Sequence, residues 1–282
     1  MGKGQKRSPN TYQKINTVFY RDENNIIMPF EELCTPELQW LRENNIKLYA
    51  TEKIDGTNCR IEVSSYIEEN YGVTFSVEYK GKTDNANMPK TLQKVFDEKY
   101  PKDKVLSALG LKAYIPFSEF ADHNWVDKDN EGNVTGINIE KVPTMYTIYG
   151  EGYGEGIQKG GRYLKGKNDF IVFDVKVNNI WLQPESVKDI ASKLGAQYVP
   201  EYGPMTIDEA MNICRFMDWK SQIAEDKTLP IEGIVLKTPL GFLDRMGRRI
   251  ICKIKVEDFQ KYYKKYGTHQ QVPQNKNPKA NY

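Results

Sequence analysis

Three runs of β-forming residues, 48–53, 57–63 and 73–80, follow one another with only short breaks between them. Strands this close in sequence pair as an antiparallel meander, because parallel neighbours need a crossover of about a dozen residues or more. The first break is Ile54-Asp55-Gly56, so Lys53 stands at a bend, held by strands on both sides yet open to a ligand. Further strands are expected at 114–121, 145–151, 169–177 and, as an adjacent pair, near 232–237 and 250–255. Helices are interspersed. Thr35 reads as an N-cap with Pro36 at the first helical position, a second helix covers 90–99 and is closed by Pro101, and a third runs 185–194 up to Gly195. Thr206-Ile207-Asp208-Glu209 is a capping box opening a helix to about 223. This order predicts an α+β fold of mainly antiparallel sheets flanked by helices. With 282 residues, the expected organisation is one large domain over 1–260 and a short basic, flexible tail over 261–282.

Composition narrows the partners. The net charge is only +2, so contact with a polyanion must come from local patches. Residues 2–7 are rich in Lys and Arg, and beyond Asp258 the chain carries Lys261, Lys264, Lys265, Lys276 and Lys279 with tyrosines between them. A solvated tail accounts for the last fifteen residues equally well. The four cysteines, Cys34, Cys59, Cys214 and Cys252, show neither Cys-x-x-Cys pairing nor a histidine at ligand spacing, which argues against structural zinc and for a reducing compartment. No apolar signal core or membrane span is present, and Lys6 stands where a myristoylation motif needs Ser or Thr. A cytoplasmic monomer without membrane contact is expected. Asp127-Lys128-Asp129-Asn130-Glu131-Gly132 imitates a calcium loop but puts Asn138 at its twelfth position, so a hairpin turn is the better reading. The glycine-rich run from Gly150 to Gly161 lacks dinucleotide-binding spacing and reads as a flexible active-site loop.

In Glu52-Lys53-Ile54-Asp55-Gly56, one lysine sits between two carboxylates. As a nucleophile it must attack as the free amine, and an ordinary lysine pKa of about 10.4 leaves about one molecule in a thousand or fewer neutral at pH 7. Glu52 and Asp55 would oppose deprotonation, so their better use is to hold metal or substrate, with nearby cations or a divalent ion activating the amine. An exposed turn with an ordinary ion pair is the alternative. Glu232 is a candidate carboxylate for Mg²⁺ or Mn²⁺. Lys253 and Lys255, two apart, share a strand face and suit a phosphate, whereas Lys237, five residues after Glu232, falls on the opposite face from it in a regular strand.

These pieces occur in a fixed order with Gly81-Lys82-Thr83-Asp84-Asn85, Tyr149-Gly150-Glu151, Asp169-Phe170-Ile171-Val172-Phe173-Asp174, Glu232-Gly233-Ile234-Val235-Leu236-Lys237 and Lys253-Ile254-Lys255. From about residue 50 to 255 the chain resembles the covalent nucleotidyltransferases, a group of ATP-dependent DNA ligases, RNA ligases and mRNA capping enzymes, and most closely the RNA ligase 2 type. The resemblance implies the nucleotidyltransferase fold, the ATP-grasp-like adenylation domain of DNA and RNA ligases. It implies Lys53, Asp55, Glu232, Lys253 and Lys255 as catalytic residues, with Glu232 and Asp55 on the metal. Glu52, Ile54, Asn58, Lys82, Glu151, Phe173 and Lys237 are the implied nucleotide-binding residues. In this scheme Glu151 meets the ribose hydroxyls, Phe173 or Phe170 stacks on adenine, and Lys82 takes the place of a family arginine that contacts phosphate. Tyr12-Gln13-Lys14-Ile15-Asn16-Thr17 resembles the family's opening segment, which contributes to the nucleotide pocket.

The implied activity is ATP-dependent RNA ligation with Mg²⁺ or Mn²⁺: a lysyl-AMP forms at Lys53, AMP passes to a 5′-phosphate, and a 3′-hydroxyl seals the break. The partners would be RNA ends, in a nicked duplex, a broken RNA or a DNA/RNA hybrid. Asn58, where many DNA ligases carry arginine, favours RNA. A capping guanylyltransferase, a DNA ligase, and an RNA-binding protein with a retained nucleotide pocket are the alternatives. The residues after Lys255 are too few for an oligonucleotide-binding barrel, and the compact organisation suggests a virus-encoded protein in host cytoplasm.

Overall fold

The computed structural model describes residues 10–29, 32–68, 72–84, 86, 88–116, 126–137, 145–158, 161–239 and 242–267. The basic segment 2–7, Asn85, Asn138 and the tail beyond 267 therefore lie outside the described residues. In chain order the first elements are β1 (Asn16–Thr17), α1 (Pro36–Glu43), β2 (Leu48–Lys53), β3 (Thr57–Glu68), β4 (Gly72–Lys80), α2 (Lys90–Lys99), α3 (Lys102–Ala108) and β5 (Tyr114–Pro116). The middle of the chain gives β6 (Val126–Lys128), β7 (Val134–Ile137), β8 (Met145–Gly154), β9 (Asn168–Val177), β10 (Ile180–Trp181), α4 (Pro184–Leu194), β11 (Gln197–Tyr198) and β12 (Glu201–Met205). The last are α5 (Ile207–Phe216), β13 (Gly233–Lys237), β14 (Ile251–Lys255) and α6 (Val256–Tyr266). The fold is α+β, and its principal strand pairs are antiparallel.

The chain forms two compact units. One comprises residues 1–13, 54–199 and 222–229. Its sheet runs β10-β9-β8-β3-β4-β5, with β11 beside β9. Alternation gives this sheet one apolar face, where Cys59, Ile61, Val63, Phe75, Ile148, Phe170 and Val172 pack against α2, α3 and α4 through Leu92, Phe96, Val105, Leu106, Val187 and Leu194. The other unit comprises residues 14–53, 200–221 and 230–282. Its sheet runs β1-β14-β13-β2-β12. Here Leu48, Ala50, Ile234, Leu236, Cys252 and Ile254 form a core with α1, α5 and α6 through Leu38, Leu41, Ile207, Ala210, Phe259 and Tyr262.

Caps follow local chemistry. Thr35 Oγ1 accepts from the Leu38 amide at 3.3 Å, the capping box at Thr206 and Glu209 is complete, and Gly195 ends α4 at φ +70°. Two expectations are corrected and one helix is added. Pro101 closes α2 but also stands at the N-cap of the further helix α3. Helix α5 stops at Phe216, because Met217 turns extended at ψ 138°. The glycines at the start of the 150–161 run lie in β8, not in a loop: a Cβ on Gly150 would collide with the Phe170 ring, and one on Gly152 with Leu92. The 129–132 stretch is the turn of the β6–β7 hairpin, with the Asp129 carboxylate accepting from the amides of Glu131 and Asn133. All four cysteines are free thiols.

Candidate active site

In the unit built on β2, β13 and β14, the strand register sets the candidate side chains in rows. Lys53 lies opposite Gly233, and Gly233 opposite Lys255; one step along come Thr51, Val235 and Lys253, and one further Tyr49, Lys237 and Ile251. Residues directly opposite share a face, and so do alternate residues along a strand. Lys53, Lys237, Lys253 and Lys255 therefore occupy one face, while Ala50, Ile234, Leu236, Cys252 and Ile254 point into the core.

Glu232 sits just before β13, and its carbonyl accepts from the Val256 amide at 3.0 Å. Its carboxylate bridges two lysines: Lys53 Nζ donates to Oε2 at 2.8 Å, and Lys255 Nζ lies 2.6 Å from Oε1. Side-chain exposure is 20% for Lys53, 13% for Glu232 and 26% for Lys255, enough for a ligand to reach them and little enough to raise the worth of each charge. Gly233 leaves room in the middle of the row. Burial, together with the ammonium groups of Lys53 and Lys255, pulls Lys253 down to about 8. Burial also acts against the charge on Lys255, but its bond and charge pairing with Glu232 outweigh that and hold it above the ordinary lysine value.

Two placements differ from expectation. Lys237, buried at 6% exposure, shares the face of Lys53, Lys253 and Lys255 instead of opposing the site; strand alternation cannot be counted from Glu232, which precedes the strand. Glu52 pairs with Ile234 and so faces away from Lys53. It is almost fully buried and accepts hydrogen bonds from Tyr202 Oη at 2.9 Å and from Ser221 Oγ.

In the other unit the candidate nucleotide-binding residues Asn58 and Glu151 fall on the polar face of the β3–β8–β9 sheet. Asn58, Glu151 and Ile171 form one row, and Arg60, Tyr149 and Asp174 the next. Between those rows β9 bulges: Val172 pairs with Gly150 and Asp174 with Tyr149, which leaves Phe173 as the extra residue. A bulge re-aims the side chain it carries. Phe173 is half-buried beside Ile54, Tyr153 and Ile171, with the Tyr12 ring edge-on at 4.9 Å. Tyr12 Oη donates to Asp174 Oδ2 at 2.7 Å. Phe170, the other candidate for stacking, is fully buried against Phe96 and Tyr100. Ile54 is a core residue by its side chain, and the Asp55 amide donates to Tyr163 Oη at 3.1 Å. The buried Oδ1 of Asn58 has no hydrogen-bond partner, although its row-mate Glu151 is half-buried. Such an orphan is costly unless a ligand donor completes it.

Lys82 is exposed. Its turn is fixed from beneath by a residue that sequence reasoning passed over: Arg60, fully buried, donates to Glu62 Oε1 at 2.6 Å, to the Gly81 carbonyl and to Asp84. Lys80 completes this network by donating to Glu62 Oε2 at 2.7 Å. The alternation of 57–63 could have marked Arg60 and Glu62 as sharing a face, but their partner at Asp84 is set by tertiary structure. Among the described residues no group of three or more His, Cys, Asp or Glu could hold a metal ion, and no helix is long and apolar enough to cross a membrane.

A carboxylate clamped between a strand-end lysine and a strand lysine, beside two more lysines on the same face, is a site for phosphate chemistry. The RNA ligase family model matches residues 46–255, a span that holds every residue of that site. The chain belongs to the RNA ligase family. Solved structures similar to it include two point mutants of the Naegleria gruberi RNA ligase. One, with AMP and Mn, has 16% identity and a TM-score of 0.47, over 92% of this chain and 63% of that one. The other, with ATP and Mn, has 15% identity and a TM-score of 0.48, over 92% and 60%. The same ligase with PPi gives 16% and 0.47, over 93% and 64%. The chain thus spans less than two thirds of the length of these proteins. No curated protein matches it.

Proposed function

We propose that the chain is an ATP-dependent RNA ligase in which Lys53 is the nucleophile. The observation that carries this is the convergence of Lys53, Glu232, Lys253 and Lys255 on one face of one sheet, inside the span that defines the family. The Lys53 nitrogen attacks the α-phosphorus of ATP, a P–N bond forms, the bond to the bridging oxygen breaks, pyrophosphate leaves, and the amine gives up its proton. Lys53 must first release Glu232. Lys253, Lys255 and Lys237 present positive charge where the phosphates crowd. AMP then passes from Lys53 to an RNA 5′-phosphate, and a 3′-hydroxyl displaces it to form the phosphodiester.

On the polar face of the other unit, Phe173 offers a half-buried ring for the base, and Asn58 and Glu151 offer acceptors for nucleotide hydroxyls or amines. Carboxylate oxygens suit Mg²⁺ or Mn²⁺, which take one or two carboxylates and complete their shells with water and substrate phosphate. Glu232, beside the lysine row, is the carboxylate that would hold such an ion, whose contribution would be to neutralise phosphate charge. The expected partners are RNA ends in a nicked duplex, a broken RNA or a hybrid junction, handled by a monomer in the cytoplasm.

The test is incubation with α-labelled ATP or GTP and Mg²⁺ or Mn²⁺. ATP should leave an acid-labile, alkali-stable label on the wild-type chain and none on Lys53→Ala. Equal labelling of the variant removes Lys53 from its role, and labelling by GTP alone would make the chain a guanylyltransferase. Sealing of a nicked RNA duplex in preference to a nicked DNA duplex then checks the substrate.

A further inference from the structure

The segment joining β13 to β14 carries a second surface that the adenylation chemistry leaves unused. Residues 242–249 form a tight hairpin: Leu243 bridges Arg249, the Asp244 amide donates to the Arg248 carbonyl at 2.8 Å, and Gly247 takes φ +73° in the turn. The Asp244 carboxylate braces it from within, accepting from the amides of Met246 and Arg248 at 2.9 Å each and from Arg248 Nε at 2.8 Å. A loop with this many internal bonds presents its side chains in one arrangement.

Those side chains are unusual for a solvated turn. Phe242, Leu243 and Met246 are 48%, 53% and 69% exposed, and they stand among Arg245, Arg248 and Arg249, with Asp244 as the sole acid of the segment. Exposed aromatic and apolar groups set among arginines match a nucleic-acid strand, whose bases stack and whose phosphates pair with guanidinium. A second copy of the chain is the poorer occupant, since a symmetric contact would press two arginine-rich tips together.

We infer that the 242–249 hairpin is an RNA-binding finger that grips the polynucleotide away from the reacting end. This rests on the ligase reading and extends it by naming how the substrate is held. The register sets its reach. From the row of Lys53 and Lys255 to the row of Lys237 and Ile251 is four residues of strand, about 14 Å at 3.4 Å per residue. The hairpin begins beyond that row, so its contacts with an A-form RNA duplex fall several base pairs from the break.

The test compares wild type with Arg245→Gln/Arg249→Gln, with Phe242→Ala, and with the charge-preserving Arg245→Lys/Arg249→Lys, all of which leave the Asp244–Arg248 brace intact. Anisotropy titrations use 5′-phosphorylated nicked RNA duplexes with arms of about ten or about three base pairs, arms that do and do not span the reach derived above. For the long-armed RNA, the Gln pair and Phe242→Ala should each weaken binding about tenfold or more. The Gln pair should also flatten the slope of log K against log salt by about 1.4–1.8, and the Lys pair should restore it. Short-armed RNA and ATP labelling of Lys53, which needs no RNA, should respond to none of the variants.

Long-arm affinity within about twofold of wild type and an unchanged salt slope would overturn the inference while normal Lys53 labelling left the ligase reading standing. Equal losses on short and long arms would overturn the placement of the finger. Loss of self-association in the variants, without loss of RNA affinity, would assign the surface to a second copy. A wild-type chain that is never labelled but binds RNA through the hairpin would sink the ligase reading and with it the placement of the finger relative to a reacting end, leaving 242–249 as an RNA-binding surface alone.

Discussion

Lys253→Met should stabilise the unliganded protein while it removes the phosphate contact proposed for Lys253. Burial, then the ammonium groups of Lys53 and Lys255, bring Lys253 from 10.5 to about 8 against the partial relief of Glu232 and Asp258. At about 1.4 kcal/mol for each tenfold, holding the proton on Lys253 at pH 7 costs the folded chain about 3 kcal/mol. The side chain is only partly buried, and solvent screening reduces the net effect to about 1–2 kcal/mol. Methionine retains most of the stem and none of the charge. The sign follows from proton counts. Between the folded value of about 8 and the unfolded value near 10.5, unfolding takes up a proton, so the wild type gains stability as pH rises through that window. The advantage of the methionine variant is therefore complete below pH 8 and fades toward pH 10.5, more than half of it gone by about pH 9.5. Lys255, held above its ordinary value, stays charged through most of the window and does not mask the trend. Urea titrations of both proteins at pH 7 and pH 9.5 read this directly, with ATP labelling of Lys53 slowed in the variant. A variant less stable at pH 7, or a stability difference indifferent to pH, would refute the claim that Lys253 is held at electrostatic cost.

Phe173→Ala should raise the Kd for ATP about 5- to 150-fold, from about 1–3 kcal/mol of lost stacking, with a smaller loss of stability than Phe170→Ala, since the half-buried ring also packs against Tyr12. Phe170→Ala should lower stability by about 3–5 kcal/mol as a buried cavity while folded protein keeps its ATP affinity; equal ATP weakening in both would deny Phe173 its role. Gly233→Ala should cost about 1–3 kcal/mol of stability and slow Lys53 labelling, because its Cβ would collide with the Ile254 carbonyl oxygen in the row between Lys53 and Lys255. An unperturbed urea midpoint and labelling rate would show that the row tolerates a side chain there.

Much of this was legible in the sequence because the strands are short and regular. Lys253 and Lys255 share a face simply because they are two apart in β14, and the meander of β2, β3 and β4 follows from three β-forming runs with breaks too short for crossovers. Glu52 and Lys53 could be separated by the same alternation: neighbours in a strand face opposite ways, so the carboxylate beside Lys53 in sequence bonds Tyr202 and Ser221, while the one that meets Lys53 comes from 179 residues away. Alternation misleads only where a strand is not continuous. Counting from Glu232 puts Lys237 on the wrong side, because β13 starts one residue later. The exposure of Phe242, Leu243 and Met246 in the 242–249 hairpin is set by tertiary packing and is not legible in the sequence.

The bulge in β9 shows most clearly why a site can be hidden from a period-two reading. With regular alternation, Ile171, Phe173 and Val175 would share one face and Phe170, Val172, Asp174 and Lys176 the other, placing Asp174 among core residues where its charge would be left without compensation. One extra residue at Phe173 exchanges the faces. Ile171 stays in its row with Glu151, Asp174 moves into the row of Tyr149 and Arg60 where Tyr12 can donate to it, and Val175 joins the core. The irregularity thus supplies two things that one regular strand cannot: an aromatic ring set off the pleat and, next to it, a buried carboxylate with a donor.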